Sequence, residues 1–166
     1  MKKIILNVTL LLALVIGFSA CSSVVSTSNT FNQNVDQNRS LVKIAVFAFD
    51  NYTDTPQAGK RAASLAEGVL SAAGYTTKNL VDHRIVSNEE QRLQAKKAGA
   101  KYMLIGGVSE WRYKTGIDGE PAVSLSCKLI DVKDAKTIWS GVASDNDWGN
   151  ASVGTVAQEL LEDILG

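Results

Sequence analysis

The sequence predicts an α/β (α+β) fold, a mixed β-sheet packed by about three helices, with an antiparallel meander in its second half. Three observations carry that expectation. Residues 42–49 form a near-continuous apolar and β-branched run, including Val42, Ile44, Val46, Phe47 and Phe49, as in a strand covered on both faces. Apolar residues recur at spacings of three and four between Ala58 and Ala73 and again between Val153 and Leu165, the period of amphipathic helices. Between these helices, alternating segments follow one another with turn chemistry at their joints.

In chain order, the first strand leads into the polar loop Asp50-Asn51-Tyr52-Thr53-Asp54, and Thr55 with Pro56 offers an N-cap and a first-turn proline. The first helix buries Ala58, Ala62, Leu65, Ala66, Val69, Leu70 and Ala73, exposes Lys60, Arg61, Ser64, Glu67 and Ser71, and closes at Gly74. A short strand over 76–81 comes next. Ser87 and Glu90 form a capping box for a second helix that ends at Gly99. Residues 102–114 begin as an apolar run and turn into an alternation, with Trp111 and Tyr113 on one face and Glu110, Arg112 and Lys114 on the other. This reads as a strand that leaves cover and becomes half exposed.

Residues 116–121, with two glycines and a proline, read as a hairpin loop. Val123, Leu125, Cys127 and Leu129 then alternate with Ser124, Ser126 and Lys128; Asp134-Ala135-Lys136 turns the chain, and residues 137–144 return as another strand. A third helix places Val153, Val156, Ala157, Leu160, Leu161, Ile164 and Leu165 on one face and turns Glu159, Glu162 and Asp163 away. Two strand–helix units followed by three strands and a helix give a mixed sheet.

Ahead of this domain, residues 1–20 have the parts of an export leader: Lys2 and Lys3, an apolar run from Ile4 to Phe18 too short to span a bilayer comfortably, then Ser19-Ala20-Cys21. A cut after Ala20 would put bulky Phe18 where ordinary secretory cleavage wants a small residue. Phe18-Ser19-Ala20-Cys21 instead resembles the bacterial lipobox, with Phe18 where leucine is usual, and makes Cys21 the lipidated first residue of the mature protein. Several acyl chains anchor firmly where one anchors marginally. Ser22 after the cysteine, by the sorting rule for such lipoproteins, directs the protein to the outer membrane and its periplasmic face. Residues 21–40, rich in Ser, Thr, Asn and Gln, are expected to be a flexible tether, and residues 41–166 a single domain.

The chain has 17 basic and 17 acidic residues; losing Lys2 and Lys3 with the leader leaves 15 against 17, a net charge of −2. That balance argues against a nucleic-acid partner. With Cys21 acylated, Cys127 has no disulfide partner in the chain and reads as a small buried hydrophobe. The lone histidine, His83, lacks the Cys or His companions of a metal site. Gly106-Gly107 matches no phosphate loop, and no nucleophile motif is present. Asp118 and Glu120 share one short loop, but without an aromatic and polar cleft around them they read as a solvated acidic turn in a monomer. The expectation is a non-enzyme with no cofactor and no metal.

Residues 44–62, through Asp50-Asn51-Tyr52-Thr53-Asp54-Thr55-Pro56, and residues 110–123, through Glu110-Trp111-Arg112-Tyr113 and Asp118-Gly119-Glu120-Pro121, resemble the PelC family, the outer-membrane lipoproteins of Pel exopolysaccharide export. Ile138-Trp139-Ser140-Gly141 extends the resemblance over nearly the whole mature domain. It implies a dodecameric ring at the outer membrane, a collar on the periplasmic side of a porin that passes a cationic, partly deacetylated amino-sugar polymer. On that resemblance Asp118 on every subunit lines an acidic funnel and Glu120 reinforces it, concentrating a cationic chain through the summed field. Trp148, isolated among Asp, Asn and Gly, would face the membrane headgroups. Arg61, on the exposed face of the first helix, is a candidate subunit contact.

A different class of function is a lipoprotein activator or adaptor of a periplasmic envelope enzyme, acting through a protein–protein surface. It would be expected as a monomer with a one-sided partner patch, whereas a polymer guide needs a closed ring. A self-inserting channel would need long amphipathic strands beyond those of the small sheet.

Overall fold

A computed structural model describes residues 31, 35, 38–82, 87–115, 119–146 and 151–166. After a 3₁₀ turn at Arg39–Leu41 come β1 (Lys43–Phe47), β2 (Asp50–Asn51), α1 (Ala58–Ala72), β3 (Thr76–Leu80), α2 (Asn88–Lys97), β4 (Tyr102–Tyr113), β5 (Pro121–Asp131), β6 (Thr137–Asn146) and α3 (Val153–Leu165). The six strands form one mixed sheet in the order β3-β1-β4-β5-β6, with β2 added to β4. β1 lies parallel to β3 and β4, whereas β4, β5 and β6 form the antiparallel meander. The α+β class and the order of the eight larger elements are those read from the sequence.

The unbroken apolar run of β1 follows from its place in the interior of the sheet. Ile44 and Val46 join the main core with α1 and α3, while Ala45 and Phe47 join a smaller cluster on the other face with Ala95, Ala100, Met103 and Ile130. Over residues 123–129 β5 is well covered on one side, so it alternates: Val123, Leu125, Cys127 and Leu129 are buried, while Ser124, Ser126 and Lys128 lie toward the less covered face. α3 buries all seven predicted apolar residues, and Ser152 caps it by accepting from Thr155 N at 3.1 Å. At the start of α2, Ser87 Oγ accepts from Glu90 N at 3.2 Å; Glu89 and Glu90 sit in the first turn and Lys96 and Lys97 in the last, matching the helix dipole.

Three details differ from expectation. Asp50 and Asn51, read as loop, pair in parallel with Gly107 and Val108 and form β2, a strand too short to show a period. Thr55 does not cap α1: its hydroxyl donates to Trp111 O at 2.6 Å, and the N-cap is Gln57 in a left-handed conformation with φ 61°. A tertiary acceptor has outcompeted the local cap.

The third difference lies upstream. Phe31 and Val35, which composition placed in the tether, are both buried. Phe31 meets Trp139 edge-on at 4.9 Å between ring centroids and Tyr75 at 5.8 Å. Arg39 stands over Tyr75 at 5.4 Å and donates to Ala73 O at 3.0 Å. The packed domain therefore gathers residues ahead of Leu41. Cys21, the leader and His83 lie outside the described residues.

Candidate functional site

The β4–β5 hairpin positions the loop that carries the predicted acidic pair. Pairing runs to Tyr113 opposite Pro121, and Lys114 N then donates to Glu120 O at 2.6 Å, closing the hairpin neck. Gly119 follows the loop with φ 53°, a left-handed conformation that suits a residue without Cβ. Glu120 turns back: its carboxylate lies 3.4 Å from Lys114 Nζ and is only 15% exposed. Its charge is thus partly offset within the subunit. Asp118 itself, with residues 116–117, lies outside the described residues, as does Trp148 with its neighbours 147, 149 and 150.

Arg61 stands at a groove of about 900 Å³ between α1 and the outer half of β4, with Leu65, Val81, Trp111, Tyr113 and Val153 in its walls. Trp111 is buried, whereas Tyr113 is 54% exposed and accepts from Val153 N at 3.4 Å. Lys60, one residue before Arg61, pairs with Asp82 at 3.0 Å; both are substantially exposed, so that pair contributes little to stability.

A second, more polar cleft of about 430 Å³ lies on the other side of the outer half of β4, among Tyr52, Thr53, Asp54, Ser109, Glu110 and Ser124. Tyr52 in its wall donates to Asp50 Oδ2 at 3.3 Å, and the charge and hydrogen bonding of that carboxylate hold the phenol above its ordinary pKa. Arg112 is paired with Glu110 at 2.8 Å. Sequence reading passed over Tyr52, although a single aromatic inside a polar strand-to-helix loop is the signal that marks it.

Among the described residues no group of three or more His, Cys, Asp or Glu could hold a metal ion, and no helix is long and apolar enough to cross a membrane. Cys127 is fully buried, and desolvation pushes its thiol pKa far above the usual range. It should stay unmodified when the folded protein is treated with a thiol reagent at pH 8 and react on unfolding in urea; rapid labelling of the native protein would contradict that placement.

No protein-family model matches the chain, and no curated protein matches it. Lipoprotein GNA1162 from Neisseria meningitidis shares the fold, with 25% identity over 67% of this chain and 86% of that one and a TM-score of 0.52. The sheet and its helices thus place the chain among the α+β domains of bacterial envelope lipoproteins. PelC from Paraburkholderia phytofirmans, solved as a dodecamer in two crystal forms, narrows this further. One form is 34% identical over 87% of this chain and 96% of that chain with a TM-score of 0.72, and the other is 33% identical over 86% and 96% with a TM-score of 0.69. The chain belongs to the PelC family.

Proposed function

We propose that this protein is a non-enzymatic, lipid-anchored collar: a ring of twelve copies on the periplasmic face of the outer membrane that guides cationic Pel exopolysaccharide to a porin. The observation that carries the reading is the likeness to a dodecameric PelC along nearly the whole length of that relative. Cys21 supplies the acyl anchor, and Trp148 adds an indole at the headgroup layer. Asp118, repeated around the ring axis, supplies the field that concentrates the polymer's ammonium groups, so that transport asks for no covalent chemistry. Glu120 contributes less, because Lys114 stands 3.4 Å from its carboxylate. Arg61, which lines the same groove as Tyr113, is the subunit contact to test first.

Asp118→Ala is expected to cut polymer export by about tenfold or more while leaving thermal stability within about 0.5 kcal/mol of wild type, as for a surface substitution. Glu120→Gln should reduce export by no more than about twofold. Both are read by quantifying secreted polymer from cells that carry the variant as their sole copy. Undiminished export by Asp118→Ala would contradict the acidic guide.

A further inference from the structure

Tyr52 is 72% exposed on a loop that is otherwise locked in place. Its own N–H donates to Val108 O at 2.9 Å. Asn51 Oδ1 accepts from both Thr53 N at 3.0 Å and Thr53 Oγ1 at 2.8 Å, Asn51 Nδ2 donates to Thr55 O at 2.9 Å, and Thr55 Oγ1 donates to Trp111 O. An exposed aromatic on a backbone held by so many bonds loses little entropy when something stacks on it. The floor beneath it is Gly107: a Cβ there would stand 3.0 Å from Tyr52 Cε2 and 3.5 Å from Cδ2, so the glycine leaves room for the ring to lie across β4. One edge of the ring rests on the sheet, and most of its surface remains open.

The surroundings have one chemistry. Asp50, exposed, accepts from the Tyr52 hydroxyl, and Asp54 is exposed at the cleft's edge. Among the described residues lining the cleft the guanidinium is that of Arg112, which is paired with Glu110, so Asp54 in the cleft and Asp50 beside it leave the region negative. Ser109 and Ser124 present hydroxyls 3.0 Å apart on the same sheet face. A flat aromatic, exposed carboxylates and hydroxyls are complementary to a ring that has an apolar C–H face, an ammonium group and several hydroxyls of its own.

We infer that the Tyr52 cleft is a binding site for an amino-sugar unit, with the pyranose stacked on Tyr52 and its ammonium held by Asp50 and Asp54. This rests on the polymer-guiding function proposed above and adds to it a grip on every subunit, separate from the acidic loop at Asp118.

The test is calorimetric titration of the purified full chain with a fully deacetylated glucosamine hexamer and with its N-acetylated counterpart. The deacetylated hexamer should bind about tenfold more tightly than the acetylated one. Tyr52→Ala should weaken it about tenfold, Tyr52→Phe by no more than about threefold because the ring survives, and Asp50→Asn with Asp54→Asn should abolish the preference for the free amine. Gly107→Ala, which crowds the ring by a few tenths of an ångström, should weaken binding by less than Tyr52→Ala does. Wild-type affinity in Tyr52→Ala, with loss in Asp118→Ala, would overturn the cleft and leave the acidic guide standing. Loss in Tyr52→Ala with none in Asp118→Ala would support the cleft and remove the guide. No binding of the hexamer to the wild-type chain would overturn both.

Discussion

Gly59→Val is expected to destabilise the fold severely. A Cβ at that position would stand 1.9 Å from Phe49 O, a backbone atom that no rotamer change can move aside. The two segments also share a hydrogen bond, Phe49 N to Gly59 O at 3.3 Å, so the first turn of α1 is docked end-on against the chain leaving β1. Relief would require α1 to shift away from the sheet, withdrawing Ala62, Ala66 and Leu70 from the main core. Overpacking of side chains typically costs about 1–3 kcal/mol; a backbone overlap of this kind should exceed that range and lower the thermal midpoint by roughly 10 °C or more. Gly68, about two and a half turns further along the same helix, has nothing within 4 Å of an added Cβ. Gly68→Ala should therefore stabilise by about 0.4–1 kcal/mol through helix propensity and loss of unfolded-state freedom. Thermal unfolding of the two variants side by side decides the matter; a folded Gly59→Val with an unchanged midpoint would contradict the docking geometry.

Trp139→Ala should cost about 3–5 kcal/mol, a large share of the roughly 5–15 kcal/mol by which a domain exceeds its unfolded state. The indole is 3% exposed on β6 and spreads over Gly141, where an added Cβ would lie 2.6 Å from Cζ2. It also receives the edge of Phe31, so its removal takes away the wall against which the upstream segment packs. Phe31→Ala should cost less than Trp139→Ala, because the segment near the start of the domain can detach without opening the core. The double variant should show a coupling of about 0.5–1.5 kcal/mol between the two rings. Urea unfolding followed by circular dichroism measures all three, and a loss below about 1 kcal/mol for Trp139→Ala would contradict its placement.

Residues whose burial is repeated along an element are legible in the sequence. The α3 stripe from Val153 to Leu165, the β5 alternation and the unbroken run of β1 each average over several side chains facing one environment, so a single exception does not hide the pattern. Single contacts made at a distance are not legible. Thr55 has the chemistry of an N-cap, yet its hydroxyl serves Trp111 O, an acceptor 56 residues away. Phe31 and Val35 are submerged in a polar composition, although their spacing of four is that of one helical face, and Val35 N donates to Phe31 O at 3.2 Å. β2 is fixed by its register against Gly107 and Val108 and not by any pattern of its own.

The candidate site divides in the same way. Glu120 is recognisable as a loop carboxylate, but its pairing with Lys114 depends on the hairpin register, which the sequence leaves open. Arg61 is legible as lying off the apolar stripe of α1, whereas the groove it borders is made by β4 and the start of α3. Tyr52 acquires its significance only from the glycine beneath it, 55 residues further along the chain.

The measurement that tests the central claim most directly is the mass in solution of the chain from Ser22 onward, by light scattering at several concentrations, with electron-microscope images of any large species. A closed ring of twelve copies is predicted, in keeping with the dodecameric relatives. A monomer at every concentration, in the absence and presence of outer-membrane lipid, would contradict the collar and favour the adaptor of an envelope enzyme.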